Sequence, residues 1–172
     1  MCGIVGAIGT NNVSNLLIKG LKKLEYRGYD SAGIAIIEKS NLEVLKEKGK
    51  IENLEDLLKK NPTNANIGIG HTRWATHGTV TVDNAHPHFT DKLALVHNGI
   101  IENYKELKEK LTKKGYKFRS DTDTEIIAWL ITDFVNQGFT PEASVKKTLE
   151  KLDGSFALGI IFKDYEDLLI GA

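Results

Sequence analysis

Closely spaced strand-like runs constrain the fold of this chain more than any other feature of its sequence. The apolar run 34–37 is followed, after a three-residue hairpin signal, by a second run at 42–45. Towards the other end, runs 155–162 and 168–172 are separated by a short acidic turn. Parallel strands need a crossover of about a dozen residues or more, so these pairs must be antiparallel.

Between the strand-like runs, apolar residues recur at helical intervals. The pattern predicts helices around Leu17, Leu54, Leu107 and Leu130, and a fifth helix beginning at Thr140-Pro141. Ser14 is predicted to cap the first helix, and residues 116–118 are predicted to form a short strand. The strand-like runs are almost continuously apolar, which is typical of strands buried on both faces. The sequence therefore predicts an α+β fold with antiparallel sheets covered by helices.

Composition limits the class of function. The 172 residues fit one domain, and 23 basic residues balance 23 acidic ones, so no net field attracts nucleic acid or an anionic membrane. We therefore expect a small-molecule partner. With one cysteine, no leader-like segment before it and no apolar run of about 20 residues, we expect a cytoplasmic protein without disulfides or membrane spans.

The single cysteine, Cys2, follows Met1 directly. Removal of Met1 would leave a thiol and a free α-amine on one residue. The reference pKa values of these groups, about 8.5 for a thiol and about 7.7 to 8.0 for an α-amine, are close enough for the amine to act as the base of the thiol. The alternative for Cys2 is a small buried hydrophobe at the start of strand 3–8.

Asn98-Gly99 has two interpretations. The pair is typical of a tight hairpin turn. It also offers a side-chain amide and an unobstructed backbone N–H side by side, and two such donors stabilise a developing oxyanion. Together with an activated sulfur, they would form an acyl-transfer site.

Charged and polar residues elsewhere predict how a substrate is held. Residues 73–89 lose all periodicity, as functional loops do, and Arg73 within them is a natural partner for a carboxylate. Thr76 and His77 would add hydrogen bonds, and Asp123 would pair with an ammonium group. The default interpretations are an ordinary surface cation for Arg73 and a core aromatic for Trp74. An anion receptor, a cation receptor and an acyl-transfer nucleophile together describe an amino acid with a side-chain amide, and glutamine fits.

The histidines support a different hypothesis. All five lie between His71 and His97, and His86-Pro87-His88 with His71 or His77 could form a zinc shell. The proline restricts the common geometry of its two neighbours, and no glutamate accompanies them as in hydrolytic zinc motifs.

Five segments carry a family resemblance. They are residues 1–6 (MCGIVG), 26–33 (YRGYDSAG), 71–78 (HTRWATHG), 84–88 (NAHPH) and 97–104 (HNGIIENY). In this order they resemble the glutaminase domain of the glutamine–fructose-6-phosphate aminotransferases, over positions 1–172. The amino-acid sequences of segments 71–78 and 84–88 are not those of related enzymes, such as the purine-pathway phosphoribosyl amidotransferase, asparagine synthetase and glutamate synthase.

The resemblance implies a four-layer α-β-β-α sandwich of the amino-terminal-nucleophile hydrolase type, with mainly antiparallel sheets. It implies L-glutamine as substrate, no cofactor and no metal, and a homodimer for the full enzyme. The sugar-phosphate isomerase domain, which uses fructose 6-phosphate, is absent from this chain, so the isolated domain is expected to be a monomer that releases ammonia.

The resemblance also implies residue roles. Catalysis is implied for Cys2, Asn98 and Gly99, and substrate binding for Arg73, Thr76, His77 and Asp123. Trp74 would lie in a loop that covers the bound substrate, and Arg27 would order the neighbouring loop. Three alternatives stay open at this point. They are the glutaminase domain of another amidotransferase, a metal-binding hydrolase using the histidines, and a catalytically silent glutamine-sensing module.

Overall fold

Two four-stranded antiparallel sheets lie at the centre of the described part of the chain. The structure is a computed structural model that describes residues 2–9, 12–75 and 79–172. The first sheet has the order β1-β4-β2-β3 and the second the order β5-β6-β7-β8. Their strands are β1 Gly3–Ile8, β2 Ser31–Glu38, β3 Asn41–Lys48, β4 Ile67–Arg73, β5 His88–Phe89, β6 Leu93–Ile101, β7 Gly154–Phe162 and β8 Tyr165–Gly171.

Helices cover the outer face of each sheet. They are α1 Val13–Lys23, α2 Ile51–Lys60, α3 Tyr104–Lys113, α4 Thr124–Asn136 and α5 Pro141–Leu149, with a short 3-10 helix at Glu25–Arg27. Helices α1 and α2 pack on the first sheet, while α3 and α4 pack on the second, with α5 against α4. None of the helices within the described ranges combines the length and apolar character that a membrane crossing needs.

Strand β2 shows why its apolar run is continuous. Ile34 and Ile36 point towards α1 and α2, whereas Ala35 and Ile37 pack between the two sheets against residues such as Val96. Side chains alternate between the faces of a strand, so a strand covered on both faces needs apolar residues at every position. The predicted four-layer α-β-β-α sandwich with antiparallel sheets is confirmed.

Three local predictions are wrong. Ser14 lies inside α1, where its hydroxyl donates to Asn12 Oδ1 at 3.1 Å, so it does not cap the helix. Residues 116–118 form no strand, because Tyr116 packs against the helical layer and its hydroxyl bonds Asp133 at 2.9 Å. Strand β6 continues through Asn98 and Gly99 to Ile101, so this pair does not form the predicted hairpin turn. By contrast, Thr140 caps α5, accepting a bond from the backbone N–H of Ala143 at 3.3 Å.

Candidate active site

Asn98 and Gly99 lie within strand β6 and do not form a hairpin turn. Both pair in register with β7, opposite Ala157 and Phe156. The backbone of Gly99 has a φ of 123°, and a Cβ at this position would lie 2.1 Å from the carbonyl oxygen of Ser155. Only glycine fits such a close approach of two strands. The turn interpretation of this pair is therefore wrong.

The register directs the Gly99 N–H away from β7. Hydrogen bonds from Lys163 N to Lys92 O and from Glu102 N to Asp153 O, at the two ends of the ladder, show that even-numbered residues of β6 bond β7. In an antiparallel pair the intervening residues point their backbone groups to the opposite side. Gly99 is one of these, and within the described part of the chain β5 pairs with β6 at residues 94 and 95 alone. Its N–H therefore faces a free stretch of strand edge.

Cys2 immediately precedes β1 and faces this part of β6 from the other sheet. Its side chain is half-buried. The backbone N–H of Trp74 donates to Cys2 Sγ at 3.3 Å, and the amide Nδ2 of Asn98 donates to the Cys2 carbonyl at 3.4 Å. The first contact holds the sulfur beside Trp74, and the second joins the backbone of Cys2 to the side chain of Asn98. A sulfur at the wall of a pocket is accessible, unlike that of a fully buried structural cysteine.

Arg73 is the last residue of β4, which pairs with β1, and Trp74 follows it directly. Arg73 is buried, with one guanidinium nitrogen 3.5 Å from the carbonyl oxygen of Thr79. Trp74 is half-exposed, and its ring lies against Gly28, where an added Cβ would approach it to 3.1 Å. Neither residue has the environment expected by default, since the cation is inside and the aromatic ring is outside.

Asp30 supports the segment that carries Arg73, a role that the sequence did not predict. Its carboxylate accepts a hydrogen bond from the backbone N–H of Ala75, and its own N–H donates to the carbonyl of Arg73 at 2.8 Å. Both bonds hold the segment that carries Arg73. Asp30 belongs to the quoted segment 26–33, but nothing in the sequence indicates its partner 45 positions away.

Asp123 occupies the position before helix α4 without capping it. Its Oδ2 accepts from the backbone N–H of Ile101 at 2.9 Å. Ile101, like Gly99, points its N–H away from β7, so the carboxylate sits at the same strand edge.

One pocket contains most of the predicted site residues. It is lined, among others, by Cys2, Arg73, Trp74, Asn98, Gly99 and Asp123. Thr76 and His77 lie outside the described residues. One cavity thus contains a sulfur, two hydrogen-bond donors, a guanidinium and a carboxylate. The guanidinium and the carboxylate carry opposite charges, which suit the α-carboxylate and α-ammonium groups of an amino acid.

The four described histidines, His71, His86, His88 and His97, form a buried cluster beside this pocket, and His86 and His97 are among its lining residues. His71 and His86 approach edge to face, with ring centroids 4.1 Å apart and their Nδ1 atoms 3.1 Å apart. Burial lowers the pKa of His71 to about 4 and also lowers the pKa values of His86, His88 and His97. Within residues 2–9, 12–75 and 79–172, no three His, Cys, Asp or Glu side chains are arranged to hold a metal ion.

A family model described as a glutamine amidotransferase domain matches residues 71–172. The chain belongs to the glutamine amidotransferase domain family.

Two relatives of this amidotransferase domain are longer proteins. The chain is 52% identical over all its residues to the glutamine–fructose-6-phosphate aminotransferase (isomerizing) of Mesorhizobium japonicum, and 54% identical to the enzyme of that name from Bradyrhizobium diazoefficiens. In each case it spans 28% of the relative's length. These relatives therefore contain further sequence that this chain does not include.

The amidotransferase domain has the same fold as two longer proteins of known structure. An allosteric regulatory enzyme of purine biosynthesis is 30% identical, with a TM-score of 0.83 over 95% of this chain and 36% of that chain. The glutamine phosphoribosylpyrophosphate amidotransferase of B. subtilis is 28% identical, with a TM-score of 0.81 over 95% of this chain and 35% of that chain.

Proposed function

We propose that this chain hydrolyses L-glutamine to glutamate and ammonia through a thioester on Cys2. The observation that carries the proposal is the shared pocket, whose lining residues include Cys2, Asn98, Gly99, Arg73 and Asp123. Nucleophile, oxyanion donors and two opposite charges are the parts that acyl transfer from an amino-acid amide requires.

The first half of the reaction forms the thioester. Once Met1 has been removed, the free α-amine of Cys2 takes the thiol proton, and the thiolate attacks the carboxamide carbon of glutamine. The oxyanion accepts hydrogen bonds from Asn98 Nδ2 and the Gly99 N–H. When the tetrahedral intermediate collapses, the C–N bond breaks, and the proton held by the amine passes to the departing nitrogen, which leaves as ammonia.

The second half regenerates the enzyme. The α-amine, again neutral, removes a proton from water, and the resulting hydroxide attacks the thioester carbon. The same two donors, from Asn98 and Gly99, hold the second oxyanion. Breaking the C–S bond releases glutamate, and the proton returns to the sulfur of Cys2.

Substrate recognition follows from the two charges. The guanidinium of Arg73 binds the α-carboxylate of glutamine, and the carboxylate of Asp123 binds its α-ammonium. Thr76 and His77, outside the described residues, keep their proposed hydrogen bonds to the substrate. Trp74, half-exposed at the rim, is the residue we propose to cover bound glutamine.

The use of the ammonia is a further part of the proposal. Curated relatives about 50% identical carry the name glutamine–fructose-6-phosphate aminotransferase and are more than three times as long. We propose that this chain supplies ammonia to an isomerase domain that aminates fructose 6-phosphate to glucosamine 6-phosphate, within a homodimer. Glutaminase assays with and without that domain and fructose 6-phosphate test this part, and ammonia that never enters the sugar would contradict it.

Replacement of Cys2 tests the chemistry. Cys2→Ala should abolish glutamate formation while leaving glutamine binding measurable by calorimetry, because Arg73 and Asp123 remain. Intact-mass analysis of the active protein should show the loss of Met1. Residual turnover of Cys2→Ala, or a fully active chain that retains Met1, would contradict the mechanism.

The same assay separates the other hypotheses. A metal-dependent hydrolase would lose activity with a chelator, whereas the thioester mechanism predicts no change. A silent sensing module would bind glutamine without forming glutamate and without a covalent adduct to a glutamine-like electrophile. Adduct formation at Cys2, located by peptide mass, would contradict the sensing module.

A further inference from the structure

Hydrogen bonds connect Asn98 to the buried histidines in an unbroken chain. His71 Nε2 lies 2.8 Å from Asn98 Oδ1 and 3.1 Å from the backbone oxygen of His97. The Nδ1 atoms of His71 and His86 are 3.1 Å apart. The Nε2 of His86 lies 2.9 Å from the hydroxyl oxygen of Thr124, and that hydroxyl lies 2.9 Å from His97 Nδ1.

The backbone oxygen of His97 sets the direction of every bond in this chain. A carbonyl oxygen only accepts, so His71 Nε2 must carry a proton and donate to it. The same N–H then donates to Asn98, which must present its oxygen to His71. Its nitrogen is left to point the other way, towards Cys2, as the 3.4 Å contact from Asn98 Nδ2 to the Cys2 carbonyl shows.

Burial fixes the remaining protons. All three histidines are buried, and burial lowers their pKa values. For His97 burial outweighs the opposing effect of the Asp123 carboxylate, whose Oδ1 lies 3.9 Å from His97 Nδ1, so each of the three rings is neutral and carries one proton. With its proton on Nε2, His71 accepts at Nδ1 from His86 Nδ1–H. Two acceptors then face the Thr124 hydroxyl, His86 Nε2 at 2.9 Å and Asp123 Oδ1 at 3.4 Å, and the closer one, His86, receives its proton. The hydroxyl oxygen in turn accepts from His97 Nδ1–H. The one polarity consistent with the carbonyl thus determines three tautomers.

The opposite polarity is unfavourable at both ends. It would set an unprotonated His71 Nε2 against the carbonyl oxygen of His97, so that two lone pairs would face each other. It would also protonate His97 Nε2, a buried atom without a hydrogen-bond partner among the described residues. A buried N–H without an acceptor is costlier than a buried acceptor without a donor.

We propose that His71 is a positioning residue for the reaction, which holds the Asn98 side chain so that its Nδ2 faces the oxyanion formed at Cys2. The amide of asparagine can rotate to exchange oxygen and nitrogen, so its partners set its orientation. These partners are His71 Nε2, 2.8 Å from Oδ1, and the Cys2 carbonyl, at a longer 3.4 Å from Nδ2. The inference rests on the proposed glutaminase function, but the orientation itself is measurable without turnover.

The tautomers provide that measurement. Long-range proton–nitrogen NMR correlation on the wild-type chain labelled with 15N-histidine distinguishes protonated from unprotonated ring nitrogens. We expect the proton on Nε2 of His71 and on Nδ1 of both His86 and His97. A proton on Nδ1 of His71 would overturn the proposal, whether or not any variant folds.

Kinetics supply the second test. Loss of an oxyanion donor lowers kcat about a hundredfold to a thousandfold, and an unheld donor should lose part of this. We expect His71→Leu to lower kcat about tenfold to a hundredfold with the KM for glutamine nearly unchanged. His71→Gln should recover most of the loss, because its terminal amide can donate from a place near that of Nε2.

A double-mutant cycle separates positioning from a general structural role. In an Asn98→Ala background, His71→Leu should change kcat by less than about twofold. An equal loss in both backgrounds would overturn the proposal, as would a His71→Gln variant no better than His71→Leu at the same stability.

His88 offers the matched control. It is buried in the same cluster with its ring against His86, but it bonds Thr122 at 3.0 Å and makes no hydrogen bond to Asn98. His88→Leu should destabilise the fold comparably and leave kcat within about twofold. A kcat loss as large as that of His71→Leu would overturn the proposal. A wild-type chain without turnover would contradict the proposed function alone, and the tautomers would then decide this inference.

Discussion

The carboxylate of Asp123 accepts a hydrogen bond from the backbone N–H of Ile101 at 2.9 Å, two residues beyond Gly99 on the same strand edge. The strand that presents the proposed oxyanion donor therefore also sets the position of the proposed ammonium receptor. Strand β6 therefore sets the spacing between the two groups that we propose to bind the opposite ends of the substrate, the Gly99 N–H and the Asp123 carboxylate.

Asp123→Asn should weaken substrate binding more than chemistry. Asparagine keeps an oxygen to accept from Ile101 but loses the charge that pairs with the substrate ammonium. A hydrogen bond to a charged group contributes about 1.5 to 3 kcal/mol, so the KM for glutamine should rise about tenfold to a hundredfold, with a smaller change in kcat. Steady-state kinetics measure this. Asp133→Asn, which removes the pair with Lys114 at the other end of α4, is the control and should leave KM unchanged.

Gly99→Ala should destabilise the protein strongly. The added methyl would meet Ser155 O at 2.1 Å, and the φ of 123° is one that alanine avoids. Backbone strain and overpacking together predict a loss of about 3 to 5 kcal/mol in the free energy of unfolding. Gly115→Ala is the matched control, since its φ is also positive, at 92°, but an added Cβ would meet nothing within 4 Å. It should lose only about 1 to 2 kcal/mol in urea unfolding. Equal losses would contradict the steric argument.

The protein should lose stability as the pH falls from 7 to 5. Burial holds the pKa of His71 at about 4, below the ordinary value near 6.5, so the unfolded chain binds a proton in this window while the folded chain does not. This one residue should remove about 2 kcal/mol by pH 5. His86, His88 and His97 act in the same direction. Urea unfolding at each pH measures the slope, and a flat profile would contradict neutral buried rings.

Asp30→Ala should loosen the segment that carries Arg73. The change removes the acceptor of the Ala75 N–H, so hydrogen exchange at that amide should accelerate. The KM for glutamine should rise because Arg73 is held less firmly. Asp56→Ala, which removes only an exposed contact with Lys59, serves as control and should change neither. Unchanged exchange at Ala75 in Asp30→Ala would show that the carboxylate does not hold this segment.

Local patterns predicted most of the architecture. The short link between β2 and β3 leaves no room for a crossover, and the helical spacing of Ile51, Leu54 and Leu58 matches α2. Where a prediction was wrong, a tertiary contact decided the outcome. Tyr116 has strand-like neighbours, yet its bond to Asp133 and its packing against α4 place it in a loop.

For the site, the sequence alone determined which chemical groups are present. It identified a cysteine beside Met1, the Asn98-Gly99 pair and the charged residues Arg73 and Asp123, because these residue types carry their chemistry wherever they lie. The tertiary structure decided how those groups are aimed. The direction of the Gly99 N–H depends on the β6 register, and the orientation of the Asn98 amide depends on a ring from the opposite sheet. Both are set by hydrogen bonds between residues far apart in sequence, and such long-range pairing leaves no local pattern to read.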